Sequence, residues 1–345
     1  VKQRSISQQR IANDLGVSQA LVSLVLNGKR ENISEEVCDR IWKYAIKIGY
    51  RPKGMQVDLN HLSTPNVGFI LRAGLRLHTQ SNFFSSVQHG LHVGLLAQGY
   101  YTFLLGAEDD LRIRDLSQKL KRLRLFGIAV FGQVNENFLK ALKAIQPNAV
   151  TISVAYPGRC HSVMSNEPQA LALLVDHLFN LGHRHFAWIG GDKKLNYNVR
   201  RRNALIQELT ARSLRLPEKA IVEVEAGDRL DGWNAAESML HQVSRRKCPT
   251  AWVCANGLIA RGVVNYLTQH GWRIPDDISV VAVDATRICT EEFPRITGAH
   301  TEPEKMGMKA AELLLQAASP GHDGTFLDVV ISAALTVRQT SGKAP

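Results

Sequence analysis

The chain has 345 residues, 42 of them Lys or Arg against 31 Asp or Glu, which leaves a formal net charge of +11. With 45% hydrophobic and 21% charged residues it can bury ordinary cores, which excludes disorder and a histone-like polycation. The length fits two or three domains, and no apolar run approaches the ~18 residues of a membrane span. Val1 to Arg10 are polar and basic with no apolar stretch of a signal peptide, so an unexported, cytoplasmic protein is expected. The five cysteines (Cys38, Cys160, Cys248, Cys254, Cys289) form no C-x-x-C pair, so neither a disulfide framework nor a zinc site is expected, and no cofactor is indicated.

The positive charge is denser at the N-terminus. Residues 1–60 hold ten basic groups against six acids, a net of +4, and the rest of the chain carries the other +7 over a much longer stretch. That distribution suits a module meeting a polyanion, although a solvated surface would show it too. The pattern of the residues decides between the two. Ser7 can cap a helix with Ile11, Ala12 and Leu15 on one side and Gly16 at its end. Ser18 can cap a second helix burying Leu21, Val22, Val25 and Leu26 before Asn27-Gly28. Ser34 can cap a third, with Val37, Ile41, Trp42, Ala45 and Ile48 inward and Gly49 at its end. Two short helices on a tight turn, buttressed by a third, make a helix-turn-helix unit.

From Pro65 onward, strand-like runs alternate with helical stretches: Val67 to Leu71, then a helix from Phe83 to Gln98, Tyr101 to Leu105, Ile128 to Phe131 and Ala149 to Val154. The alternation resumes with a helix from Leu171 to Leu181, His185 to Ile189, a helix from Arg200 to Thr210, Ala251 to Ala255, a helix from Ala260 to His270, and Ser279 to Val283. Such alternation predicts parallel sheets covered on both faces, and the length allows two of them.

The string Ile11-Ala12-x-x-Leu15-Gly16-Val17-Ser18-x-x-x-Val22-Ser23-x-x-Leu26-Asn27-Gly28, followed by Gly49-Tyr50-Arg51-Pro52, resembles the headpiece of the lactose-repressor (LacI/GalR) family of bacterial transcription regulators. Further strings resemble that family's core: Ser81-Asn82-Phe83-Phe84, Leu181-Gly182-His183-Arg184, Ile189-Gly190-Gly191, Ile274 to Val281 and Gly307 to Leu315. The resemblance covers most of residues 5–340. It implies an α/β architecture in which a small all-α helix-turn-helix headpiece (1–50) and a hinge segment (51–64) precede a periplasmic-binding-protein-like core (65–345). Two doubly wound parallel-sheet subdomains would make up that core, one from about 65–164 and 299–325, the other from about 165–298 and 326–340. The three crossings between them are expected near Ser165, Ala299 and Phe326.

In that family the second helix enters the major groove of operator DNA. The resemblance places Gln19 and Ala20 at base edges, Gln19 suited to adenine and Ala20 to a thymine methyl, with Ser7, Ser18, Ser23, Asn27 and Arg51 also on the DNA side. Where relatives often carry Thr and Arg this chain has Leu21 and Leu24, and both are expected to pack within the headpiece. The hinge would wedge Leu59 into the minor groove with Met55 one turn earlier, although Gly54, Gln56-Val57 and Asp58 depart from the family pattern and fit a plain linker as well.

Ligands of parallel sheets bind beyond the carboxyl ends of the strands. The positions matching the family's effector site are Phe83 or Phe84, Arg201, Asn256 and Asp284, a set that suits a polyhydroxylated molecule. Phe83 and Phe84 could equally pack a core or a dimer face, and Asp284 could cap a segment. Two departures bear on the ligand: Gly257 stands where the family has Asp, and Arg229, in Gly227-Asp228-Arg229, stands where an aromatic is expected. A lost carboxylate and a gained guanidinium favour a less hydroxylated, anionic ligand.

An enzyme is the first alternative, but there is no G-x-G-x-x-G, P-loop, G-x-S-x-G or H-E-x-x-H string, and His183 and His185 lack a nucleophile nearby. A solute-binding receptor would need an export signal and no headpiece. A third reading keeps the DNA-binding regulator but gives its cleft a protein partner or no ligand. The expectation is a repressor, homodimeric on a pseudopalindromic double-stranded operator, controlled by a small-molecule effector, a sugar or an anionic sugar derivative, bound between the two lobes, with no metal and no membrane partner.

Overall fold

The computed structural model describes residues 7–26, 33–47, 66–75, 82–123, 125–243, 245–317 and 324–345. The chain divides into two compact units, Val1–Thr64 and Pro65–Pro345.

In the first unit three helices, α1 (Gln8–Leu15), α2 (Gln19–Leu26) and α3 (Glu35–Lys47), enclose a small core. Ser7 caps α1 by accepting the Arg10 N–H at 3.3 Å. Gly16 ends it at φ 66°, ψ 34°, left-handed backbone that a side chain would strain. Ser18 Oγ accepts the Leu21 N–H at 3.1 Å and so starts α2 at the next residue. Ile11, Ala12, Val22, Val25, Leu26, Cys38, Ile41 and Ala45 form the shared core, and Leu15, Val17, Leu21, Val37 and Tyr44 pack around it. Tyr44 donates its hydroxyl to Asp14 at 2.7 Å, tying α3 to α1. The helix ends expected at Asn27-Gly28 and Gly49 lie outside the described residues, as does the hinge segment.

The second unit is two lobes, each built on a six-stranded sheet. The first lobe begins with β1 (Asn66–Leu71), α4 (Asn82–Leu96), β2 (Thr102–Ala107), α5 (Ile113–Leu123), β3 (Leu125–Phe131), α6 (Glu136–Ile145), β4 (Ala149–Ile152) and β5 (His161–Ser165). The chain then crosses to α7 (Glu167–Asn180), β6 (Phe186–Gly190), α8 (Asn196–Ala211), β7 (Ile221–Glu223), α9 (Arg229–Gln242), β8 (Ala251–Cys254), α10 (Gly257–Gln269), β9 (Ser279–Ala282), α11 (Ile288–Glu291) and β10 (Thr297–Thr301). It closes with α12 (Pro303–Ala317), β11 (Asp328–Ile331) and β12 (Ala333–Thr336). The strand orders are β11-β5-β4-β3-β1-β2 and β12-β10-β9-β8-β6-β7. All neighbours are parallel except β12, which runs antiparallel to β10. Strands β1, β6, β8 and β9 are buried along their whole length, the continuous apolar burial of sheets covered on both faces.

Two of the three crossings differ from the sequence expectation. Ala299 is a strand residue of the second sheet, opposite Leu335, so the return to the first lobe comes at Glu302, where Pro303 starts α12. Phe326 precedes β11, which pairs with β5 of the first sheet, so the last crossing falls at Ser332, between two strands separated by that one residue.

Candidate functional site

Burial in the headpiece divides α2 into two faces. Val22, Val25 and Leu26 point into the core, while Ser18, Gln19 and Ala20 are exposed and Ser23 is half-buried beside them. Leu21 packs against the core as expected, but Leu24 does not: it is 44% exposed, one turn after Ala20, and extends the outer face of α2. The face therefore offers an amide, hydroxyls and two small apolar patches. Ser18 accepts at its cap, which leaves its own O–H as a donor, and Ser7, also exposed, does the same at α1. Asn27, Arg51, Met55 and Leu59 lie outside the described residues.

In the core, the carboxyl ends of β6, β8 and β9 bring Arg201, Asn256 and Asp284 together with a residue the sequence did not single out, Glu167. Arg201 projects from the first turns of α8. Its Nε donates to Glu167 Oε2 at 2.6 Å, its Nη2 to Oε1 at 3.2 Å, and its Nη1 to the Ala255 carbonyl at 2.5 Å. Asp284 Oδ2 stands 3.6 Å from Nη1. The side chains of Arg201 and Glu167 are only 8% and 7% exposed. Glu167 is the first residue of α7, where the helix dipole favours a carboxylate, behind the N-cap Asn166. Asn166-Glu167-Pro168 is a helix-start string placed at the lobe crossing, the one sequence signal that could have located it.

Charge in this cluster is mutually satisfied. Burial works against the charge of Arg201, but Glu167 and Asp284 outweigh it and hold the guanidinium above its ordinary pKa. Burial pushes Asp284 up to about 6, against the opposite pull of Arg201 and of the Gly257 N–H, which donates to Asp284 at 2.7 Å. Asn256 is spent on structure: its Oδ1 accepts the Ile259 N–H at 2.8 Å and caps α10, and its Nδ2 donates to the Gly227 carbonyl at 2.9 Å. Gly257 has no room for the carboxylate usual there, because a Cβ would stand 2.7 Å from Cys289 Sγ and 2.9 Å from Ile288 Cγ2.

The remaining candidates lie elsewhere. Phe83 and Phe84 start α4 as buried core residues, their rings edge to face at 5.2 Å, with Phe84 stacked on Phe131 at 6.1 Å. Arg229 opens α9, exposed, and pairs with Glu292. Glu292 also approaches the fully buried Arg261, 3.6 Å from its Nε, and Arg261 Nη2 binds the carbonyls of Glu292 and Pro294 at 2.9 and 3.0 Å. The carboxylate taken up by Arg229 was not visible in the sequence, 63 positions away.

An opening of about 230 Å³ lies on the first lobe where Asn196 of the second reaches it, lined by Gln133, Val134, Glu136, Val154, Tyr156 and Arg159 as well as Asn196. Gln133 Oε1 accepts the Asn196 N–H at 3.0 Å across it. His183 is fully buried and bonded to Thr250, Ser279 and the Gly342 carbonyl, a tie between the α7–β6 connection and the C-terminal segment. Among the described residues no group of His, Cys, Asp and Glu could hold a metal ion, and no helix is long and apolar enough to cross a membrane.

Comparison with known proteins agrees with this architecture. The periplasmic binding protein-like domain family matches residues 175–341. The HTH-type transcriptional repressor PurR of Aliivibrio fischeri (strain ES114) is 27% identical over 313 residues, covering 89% of this chain and 90% of the relative. Among solved structures, the lac repressor dimer bound to operator and an anti-inducer superposes with a TM-score of 0.70 at 20% identity, over 98% of this chain and 100% of that one. A complex of the regulator CelR with cellobiose gives 0.69 at 19% identity, over 97% and 99%. The class is thus a transcriptional regulator, rather than an enzyme, built on a periplasmic-binding-protein-like core. Over most of its length the chain is similar to regulators of the LacI/GalR kind.

Proposed function

We propose that the chain is a repressor that binds a pseudopalindromic operator as a homodimer in the cytoplasm and whose operator affinity is set by a small molecule held between the lobes. The observation that carries the DNA-binding part is the outer face of α2, where Gln19, Ala20, Ser23 and Leu24 stand clear of a core made by the opposite face. Gln19 reads adenine, Ala20 and Leu24 contact thymine methyls, and the Ser7 and Ser18 hydroxyls position the module on phosphates. The family resemblance adds Asn27 and Arg51 as DNA contacts and Met55 and Leu59 as hinge residues. The operator-bound lac repressor dimer supports this reading by its likeness in fold.

The effector is a polar small molecule seated at the carboxyl ends of the strands, near Arg201, Asn256 and Asp284, where parallel sheets bind their ligands; a structural neighbour, CelR, is seen in complex with cellobiose. A second reading has one observation in its favour: the polar groups of Arg201, Asn256 and Asp284 are already engaged within the second lobe, which suits a cleft that takes no ligand at all. Anisotropy titration of the full chain against labelled DNA from upstream of its own gene tests the regulator. Saturable binding is expected that falls steeply with salt and disappears on deletion of residues 1–64. Binding that survives the deletion would remove the headpiece from the account.

A further inference from the structure

Among the described residues, two guanidinium groups at the mouth of the first lobe have no carboxylate partner. Arg72 follows β1, where its N–H donates to the Phe131 carbonyl at 2.9 Å. Its side chain lies across Gly132, just past the end of β3, where a Cβ would stand 2.8 Å from Arg72 Cδ. The chain thus crosses from its own strand toward β3, whose other neighbour is β4. Nη1 donates to the adjacent Ala73 carbonyl at 3.1 Å, while Nε is buried with no hydrogen-bond partner. Arg200, from α8 of the second lobe, reaches over to the first. Its Nη2 meets the Ser153 carbonyl at 3.4 Å and its Nη1 the Met164 sulfur at 3.6 Å, both long contacts to weak or strained acceptors. Neither arginine is ion-paired with a carboxylate among the described residues, in contrast to Arg201, Arg202, Arg212 and Arg229.

Ser153 stands at the end of β4. It adopts φ 70°, left-handed backbone that a serine holds only where its surroundings impose it, and its Oγ is buried without a partner. Tyr197, one turn before Arg200 and Arg201, shares this space. Burial raises its phenol while Arg72, from the opposite lobe, and Arg201 pull it the other way. Gln133, Val154 and Asn196, the sequence neighbours of Gly132, Ser153 and Tyr197, line the opening on the first lobe that Asn196 reaches. Arg201 itself cannot serve an incoming anion, since Glu167 fills its fork.

We propose that Arg72, Arg200 and Ser153 form an oxyanion subsite that holds a carboxylate or phosphate group of the effector. Two guanidinium groups and a hydroxyl supply only the donors that an acceptor-only oxyanion requires. Because Arg72 belongs to one lobe and Arg200 to the other, the bound oxyanion would also bridge them. The inference rests on reading the cleft as an effector site and narrows the class of ligand. It restores an anionic preference through residues other than Arg229, which is committed to Glu292.

The test is calorimetric titration of the full chain, at constant ionic strength, with inorganic phosphate, glucose 6-phosphate, glucuronate and glucose. Phosphate or glucuronate should bind, and the tighter of glucose 6-phosphate and glucuronate identifies the group. Arg72→Gln and the surface variant Arg200→Gln should each weaken binding by about tenfold or more, and Arg229→Gln should leave it unchanged. Anion binding that is equal in wild type and both variants overturns the subsite, as does the absence of any anion binding. If glucose alone binds and neither variant affects it, the oxyanion subsite fails while the effector site stands. If no probe binds at all, both fail.

Discussion

Replacing Arg201 by methionine removes the cation paired with Glu167 and Asp284. In the native arrangement the guanidinium satisfies both Glu167 oxygens, at 2.6 and 3.2 Å, and lies 3.6 Å from Asp284. With both side chains of the Arg201–Glu167 pair more than nine-tenths buried, solvent cannot take over the neutralisation. Removing one partner of such a pair costs about 3–5 kcal/mol, because the survivor is left charged and dry, whereas replacing both with apolar groups is often close to neutral. Arg201→Met should therefore destabilise the core by about 3–5 kcal/mol, and Arg201→Met with Glu167→Leu should recover most of that loss. Urea unfolding followed by tryptophan fluorescence reads the effect directly, since Trp188 and Trp252 are fully buried in the second lobe. A loss below about 1 kcal/mol in the single variant, or a double variant no more stable than the single one, would refute the mutual neutralisation described above.

Three other outcomes are expected. Gln19→Ala should weaken binding to a specific operator by about 1–3 kcal/mol, roughly ten- to a hundredfold, with little change on nonspecific DNA in competition titrations; an equal loss on both would make Gln19 a phosphate contact. Gly307→Ala places a Cβ 2.1 Å from the Val87 carbonyl oxygen where α12 crosses α4, so the helices must part, and the urea midpoint should fall by an amount equivalent to about 1–3 kcal/mol; an unchanged midpoint contradicts the packing. Asp284 has its pKa raised from 3.8 to about 6, so between these values the unfolded chain loses its proton while the folded one keeps it. Its contribution to stability should accordingly fall as pH rises from about 4 to about 6 and stay level above, by about 3 kcal/mol relative to Asp284→Asn at ~1.4 kcal/mol per pH unit. A difference between wild type and variant that does not change with pH, or changes in the opposite sense, would mean that Arg201 and not burial governs this carboxyl.

The elements easiest to read from the sequence were those with two buried faces or a capped amphipathic helix. Val67 to Leu71, His185 to Ile189 and Ser279 to Val283 announce themselves as unbroken apolar runs, and Ser7 and Gly16 bracket α1 because cap chemistry is local. The edge strands do not: β7 is three half-buried residues, and β11 alternates exposed and half-buried positions starting from an aspartate. That is why the last crossing was placed at Phe326 rather than Ser332. Arg201 and Asp284 lie 3.6 Å apart, but their chemistry depends on Glu167, 34 positions from Arg201, and on Ala255 and Gly257, which contribute backbone atoms that no side-chain motif encodes. Arg229 illustrates the converse. Its charge was legible, but the carboxylate that consumes it comes from a distant loop. Leu24 looked like a core residue by type, and only the rotation of α2 shows it outside.

The most direct measurement is selection of bound sequences from a random double-stranded DNA pool by the full-length chain, followed by sequencing. The account predicts enrichment of one inverted-repeat site, lost when residues 1–64 are deleted and altered at defined base pairs by Gln19→Ala. Recovery of no enriched sequence, or of the same sequences by the chain lacking residues 1–64, would contradict it.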